Sequence, residues 1–205
     1  MAGEIGHVVY GARILTHLQD AVQHPMYWVG TLFPDIRHLG IVSRHRTHPS
    51  QVTLKTLKGK NDFQTGMRVH AWIDATREQF LHKAHIKENL PWHPFVPHAL
   101  KLVEDELVYA HFDDWPTVIH ALGKIYDDEL FYIDSKERIS TWHHVLQTYL
   151  KQAPTDETRK QLSTSIGLSE NSADEVNSVV RMLKNDKRVH ELLKTFWHQL
   201  EDLLN

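Results

Sequence analysis

A chain of 205 residues with 41% hydrophobic and 24% charged side chains is long enough to bury one core and too evenly mixed for a disordered protein, so residues 1–205 are expected to form a single domain. A formal charge of −3 excludes the strongly basic groove of a nucleic-acid binder, and neither a sequence-specific nucleic-acid contact nor a membrane span is expected. Cysteine is absent, which removes disulfides, thiolate nucleophiles and sulfur-ligated zinc, so any metal must be held by nitrogen and oxygen.

The first element read along the chain is an amphipathic helix from Ile5 to about Val22, with Val8, Val9, Ala12, Leu15 and Leu18 recurring at helical spacing. The stretch from Met1 to Leu18 carries Glu4, His7, Arg13 and His17 and lacks the unbroken apolar core of a secretion signal, which predicts a cytoplasmic protein. His7 shares one side of this helix with Gly11, Ile14 and Leu18 and therefore faces inward, where a lone histidine is ordinarily a hydrogen-bonded core residue. Tyr27 to Leu32 is a short apolar run ended by Pro34, and Asp35 after it has the default role of a helix N-cap. From Gly40 to Gly59 polarity is mixed, which predicts loop with short helical pieces; His48 sits there among Arg44, His45 and Arg46.

A long helix follows from about Asp62 to Lys87, with Phe63, Met67, His70, Ile73, Asp74 and Leu81 on one stripe. Two of those positions are polar. His70 and Asp74, four residues apart, share a face about one turn from each other. Burying a carboxylate without compensation costs several kcal/mol, so Asp74 needs a partner: Arg77, a donor from another helix, or a metal.

Beyond the turn-rich stretch from Asn89 to Pro97, a helix is expected near Pro97 running through Val103 and Leu107, and another from Pro116 toward Phe131. Asp134 with Glu137, and Ser172 with Glu175, have capping-box spacing and predict two further helices, and a last helix spans Val189 to Leu204. No strand alternation and no repeat is evident, so the fold class is all-α, a multi-helix bundle.

Histidine is the outlying count, at 17 scattered copies, and it raises the expectation of a metal site or proton chemistry. His111, His120, His143 and His144 are read as surface or core residues, and Trp72, Trp92, Trp115, Trp142 and Trp197 as packing. Together His7, Asp35, His48, His70 and Asp74 make a nitrogen and oxygen ligand set drawn from three separated segments.

The order of His7 near the chain start, Gly-Thr-Leu-Phe-Pro-Asp at 30–35, Thr47-His48, and Gly66 followed by His70 and Asp74 resembles the zinc-dependent phospholipase C family and its relatives, the P1-type nucleases. The likeness covers roughly the first 85 residues. It implies a helical bundle of that type with one to three zinc ions, or another divalent transition metal, held at His7, Asp35, His48, His70 and Asp74. In that family the helical aspartate bridges two metals and the N-terminal histidine joins the second. A third zinc is held there by later histidines and a glutamate; His82, His85, His93 and His98 are available here, and His98, with Asp105 two turns on, is taken for that role. The implied activity is hydrolysis of a small phosphoester or phospholipid, with Asp35 doubling as general base and Arg37, Arg44, Arg46 and Arg68 available to bind phosphate. Two rivals stand beside it. One is a metal-stabilised helical protein without turnover; the other, an HD-type phosphohydrolase, ranks lower because no adjacent His-Asp pair occurs.

Overall fold

The computed structural model describes residues 2–18, 25–86, 90 and 92–204, and among these residues every regular element is a helix and no strand occurs. Helix α1 (Glu4–His17) starts from extended Gly3 and buries Ile5, Val8, Val9, Ile14 and Leu15. It is shorter than the periodicity predicts, closing where the Leu18 amide donates to Ile14; residues 19–24 lie outside the described residues. Helix α2 (Pro25–Leu32) runs into a 3-10 turn over Phe33–Leu39, which stops at Gly40 in the left-handed region, φ 70°. The segment expected to be mostly loop holds a one-turn helix α3 (Arg44–Thr47) and a 3-10 turn over Leu54–Thr56.

Helix α4 (Asp62–Lys83) is capped by the Asn61 side chain accepting from the Gln64 amide, and it ends before the expected Lys87, in a segment of which 87–89 lie outside the described residues. Its packing on α2 is the tightest feature of the fold. A Cβ placed on Gly66 would sit 2.3 Å from the Tyr27 carbonyl oxygen and 2.5 Å from the Thr31 amide, and one on Gly30 would sit 2.1 Å from the Phe63 carbonyl oxygen. Only glycine permits two helix backbones to meet this closely.

The remaining elements are α5 (Val96–Val108), α6 (Trp115–Ala121), α7 (Asp127–Tyr132), α8 (Lys136–Leu150), α9 (Asp156–Ser165), α10 (Glu170–Lys184) and α11 (Lys187–Leu204). The single helix expected from Pro116 to Phe131 is two. The first stops at Leu122 and Gly123, and a new one starts where the Glu129 carboxylate accepts from the Tyr126 amide. The predicted caps are displaced as well: Ser135, not Asp134, opens α8, and Ser169, not Ser172, opens α10. Helix α9 has no counterpart in the predicted set because Leu162 is its one large buried apolar residue. It is held instead by buried Arg159, which donates to Asn177 and Glu106 and pairs with Asp156. Trp92, read as packing, is 88% exposed, because it lies in the turn-rich segment rather than on a helix face.

This second half braces the first. The Trp142 indole on α8 donates to the Leu32 carbonyl at the end of α2, just before Asp35, at 3.2 Å. Buried Asp105 on α5 accepts from the Gly6 amide at 2.8 Å and from the Tyr149 hydroxyl at 3.0 Å, pinning the first turn of α1 between α5 and α8.

Candidate metal centre

Four separated segments bring the candidate residues to one buried place: α1 supplies His7, the 3-10 turn Asp35, the residue after α3 His48, and α4 both His70 and Asp74. The helix crossing explains the position of His70. Because Gly66 admits α2, the Thr31 carbonyl reaches the His70 Nδ1 at 2.9 Å. A carbonyl only accepts, so Nδ1 carries the proton and Nε2 is left as a lone pair.

His48 is oriented by a second relay. The Thr47 hydroxyl has its nearest carbonyl partner in Pro34 at 3.1 Å, which also ties this loop to the turn carrying Asp35. With that hydroxyl proton committed, the Thr47 oxygen at 3.0 Å accepts from His48 Nδ1, and the His48 Nε2 is likewise a lone pair. The two Nε2 atoms face each other at 3.1 Å. Around them stand Asp74 Oδ2, 3.6 Å from His48 and 3.8 Å from His70, and Asp35 Oδ1, 4.0 Å from each. Four acceptors thus converge in a region shielded from water, with the Arg37 and Arg44 guanidiniums supplying positive charge on its two carboxylates.

His7 approaches from the other side. Its ring stacks on His70 with centroids 3.7 Å apart and 9° between planes, and its Nε2 lies 3.2 Å from Asp74 Oδ1, the oxygen that also accepts from the Ala2 amide at 2.9 Å. Asp74 therefore offers Oδ2 to His48 and His70 and Oδ1 to His7. Of the partners considered for Asp74, Arg77 is committed to Glu104 at 2.5 Å, in a buried group that also holds the Tyr10 hydroxyl.

The electrostatics favour ligand forms. Burial and the neighbouring His7 push the His70 imidazole down to about 3, against the pull of Asp35 and Asp74, so the ring stays neutral. Burial pushes the Asp74 and Asp35 carboxyls up, yet the surrounding histidines outweigh it and hold both well below the usual carboxylate range. Between pH 6.5 and about 3 the unfolded chain protonates His70 and the fold does not, so this group's contribution to stability falls as pH falls through that window. In EDTA-treated protein, the stability of the wild type relative to His70→Gln should decline from pH 7 to pH 5, by at most about 1.4 kcal/mol per pH unit. Urea midpoints of the two proteins at each pH measure it, and a difference that is constant or grows on acidification contradicts the assignment.

Not every predicted ligand joins the centre. His98 Nε2 lies 3.3 Å from the Ser163 hydroxyl and lines a small cavity with Glu4, His38, Lys101 and Asp105, and among the described residues it belongs to no group of converging donor atoms. Its helix turns the imidazole toward α9, so His98 stands apart from the converging donors among the described residues, and its third-site role stays an expectation. Asp105 is occupied by Gly6 and Tyr149, and His93 pairs with Glu175 at 3.2 Å, so among the described residues no third group of converging donors forms around them. Arg68 is spent on the Thr56 carbonyl at 2.7 Å. Arg37 and Arg44 are at the centre, Arg37 Nη2 3.2 Å from Asp35 Oδ1 and Arg44 Nη2 3.4 Å from Asp74 Oδ2.

One member escaped the sequence reading. Glu4, three residues before His7 and on the same helical face, is buried, and a carboxylate oxygen of Glu4, a ring nitrogen of His7 and a carboxylate oxygen of Asp35 lie within 4.8 Å of one another. Its spacing from inward-facing His7 was the available signal. No family model, no curated protein and no solved structure matches the chain.

Proposed function

We propose that the chain is a metal-dependent phosphoester hydrolase whose zinc, or another divalent transition metal, is held by His7, Asp35, His48, His70 and Asp74. The observation that carries this reading is the convergence of the His48 and His70 Nε2 lone pairs between two buried aspartates, a donor set of the hard and borderline kind that zinc takes. The resemblance of the first 85 or so residues to the zinc-dependent phospholipase C and P1 nuclease families supports the same reaction class. Bound there, such a cation polarises a phosphoryl oxygen and lowers the pKa of a water toward neutrality.

The chain's own groups supply the rest. Asp35 is held ionised, with Arg37 3.2 Å and His38 3.5 Å from its Oδ1, and is the group placed to take a proton from the attacking water. Arg44, 53% exposed and next to Asp74, reaches from solvent to the centre and is suited to binding a phosphate oxygen, with Arg37 beside Asp35 as the second cation. A small phosphodiester, a phosphomonoester and a phospholipid headgroup share the tetrahedral anion this arrangement would bind.

Elemental analysis of the purified protein, with a panel of chromogenic phosphodiesters and phosphomonoesters and phosphatidylcholine vesicles at neutral pH, tests the reading. Bound metal with turnover of one panel member is expected. Arg44→Ala should then raise KM about tenfold, the loss of one charge-assisted hydrogen bond, and leave metal content unchanged. The deep burial of all five donors favours a second reading, a metal that stabilises the fold without catalysis, and metal without turnover would select it.

A further inference from the structure

A cleft of about 470 Å³ opens where the turn between α6 and α7 meets α8, and it shares no residue with the metal centre. Its walls are tied together. The Gln147 side chain donates to the Ile119 carbonyl at 3.1 Å, holding α8 to α6, and His143 Nε2 meets Glu129 Oε1 at 2.7 Å, holding α8 to α7. Glu129 is fully buried, and its other oxygen accepts from the Tyr126 amide. An ionised carboxylate only accepts, so His143 Nε2 carries the proton.

The other ring nitrogen is the one without a partner. His143 is 4% exposed, yet its Nδ1 has no hydrogen bond among the described residues and is not among the polar atoms sealed from solvent, so it opens onto the cleft that the ring lines. An imidazole braced by a buried carboxylate and turned with its free nitrogen to a cleft is set to exchange a hydrogen bond with a ligand.

The lining indicates what that ligand carries. Lys124 and Lys136 stand at the cleft with no carboxylate in ion-pair distance among the described residues, although Lys124 also lies 4.9 Å over the Tyr126 ring. Asp127 is the lining acid, and the charge of Glu129 lies beneath with both oxygens engaged. A phosphate group suits the lysines and the imidazole together: a neutral ring accepts from its P–OH, and a protonated ring donates to its P–O⁻. A carboxylate or sulfonate, with no proton near neutral pH, serves only the second form. The volume lies within the roughly 300–1,000 Å³ of small-molecule sites and exceeds what bare phosphate fills. Leu122, Ile125 and Leu130 give the remaining space an apolar side.

We infer that this cleft is a second ligand site, which takes a small organic phosphomonoester with its phosphate on His143, Lys124 and Lys136. The inference is independent of the metal-centre reading. The rival explanation is that His143 only ties α8 to α7 and that the lysines are solvated.

Amide shifts of the nitrogen-15-labelled full chain, followed at neutral pH during titration with phenylphosphonate, benzenesulfonate and inorganic phosphate, test it. Phenylphosphonate keeps the P–OH and has a C–P bond that a phosphoesterase does not cleave, and benzenesulfonate copies its shape without the proton. Saturable shifts at Gly123, Ser140 and Gln147 are expected. Phenylphosphonate should bind about tenfold tighter than benzenesulfonate, which lacks one charge-assisted hydrogen bond, and about tenfold tighter than inorganic phosphate, which lacks the apolar contact. Replacing both exposed lysines, Lys124→Gln with Lys136→Gln, should weaken phenylphosphonate about tenfold and leave the melting temperature unchanged. No saturable shift around the cleft, equal affinity for benzenesulfonate, or full affinity in the double lysine variant overturns the inference in favour of its rival. Inorganic phosphate binding as tightly as phenylphosphonate overturns the assignment of an organic ester.

Discussion

Asp74→Asn should lose most of the bound metal and melt well below the wild type in zinc-containing buffer, while the two proteins melt much closer together in EDTA. Asp74 touches both imidazole sets, with Oδ1 at 3.2 Å from His7 and Oδ2 at 3.6 Å from His48 and 3.8 Å from His70. Asparagine keeps the shape and can still accept from the Ala2 amide, so the change removes charge rather than volume. A ligand present at about 100 times its dissociation constant stabilises the folded state by about 2.7 kcal/mol, and in a domain of this size that is roughly 5 to 10 °C. Most of this should vanish in the variant. The chelator arm separates ligation from a structural role: if Asp74 merely held α1 to α4, through Ala2 and His7, the loss would be the same with and without zinc. Unchanged metal content in Asp74→Asn, or an identical melting deficit in EDTA, would end the metal assignment.

What the sequence exposes and what it hides separate on physical lines. Apolar periodicity locates α1, α4 and α11 because each buries a stripe against the rest of the chain, and polar His70 and Asp74 inside the α4 stripe stand out for the same reason. Helix α9 is invisible to that signal, since Arg159 and its acidic partners hold it rather than apolar contact. The centre was legible only as an order of residues. Nothing local marks Asp35 as more than a cap or His48 as more than one of several loop histidines, and the Thr47 relay to Pro34 that orients His48 is a tertiary contact. Glu4 was hidden by its position, because an acidic residue in the first turn of a helix is ordinarily explained by the helix dipole. His98 was singled out by its spacing to Asp105, and burial against α9 places it beside Ser163, apart from the converging donors among the described residues.

The second large effect concerns a residue with no side chain. Gly66→Ala should destabilise the protein by about 3 kcal/mol or more, although alanine in a helix interior normally gains about 1 kcal/mol over glycine. The reversal comes from the crossing with α2: the added methyl would stand 2.3 Å from the Tyr27 carbonyl oxygen, 2.5 Å from the Thr31 amide and 2.8 Å from the Gly30 carbonyl carbon, all of them backbone atoms that cannot rotate away. Helix α2 must shift, and the Thr31 carbonyl that fixes the His70 tautomer at 2.9 Å shifts with it. Metal affinity should therefore fall along with stability, although residue 66 bears no donor. Gly40→Ala is the control, since Gly40 adopts φ 70° with nothing within 4 Å of a built Cβ, so its cost is conformational, about 1 kcal/mol, with no effect on metal. Urea denaturation of both variants, with metal content measured on the folded protein, distinguishes the two mechanisms. Wild-type stability and metal binding in Gly66→Ala would mean that α2 and α4 do not meet at this point, and the orientation of His70 would lose its cause.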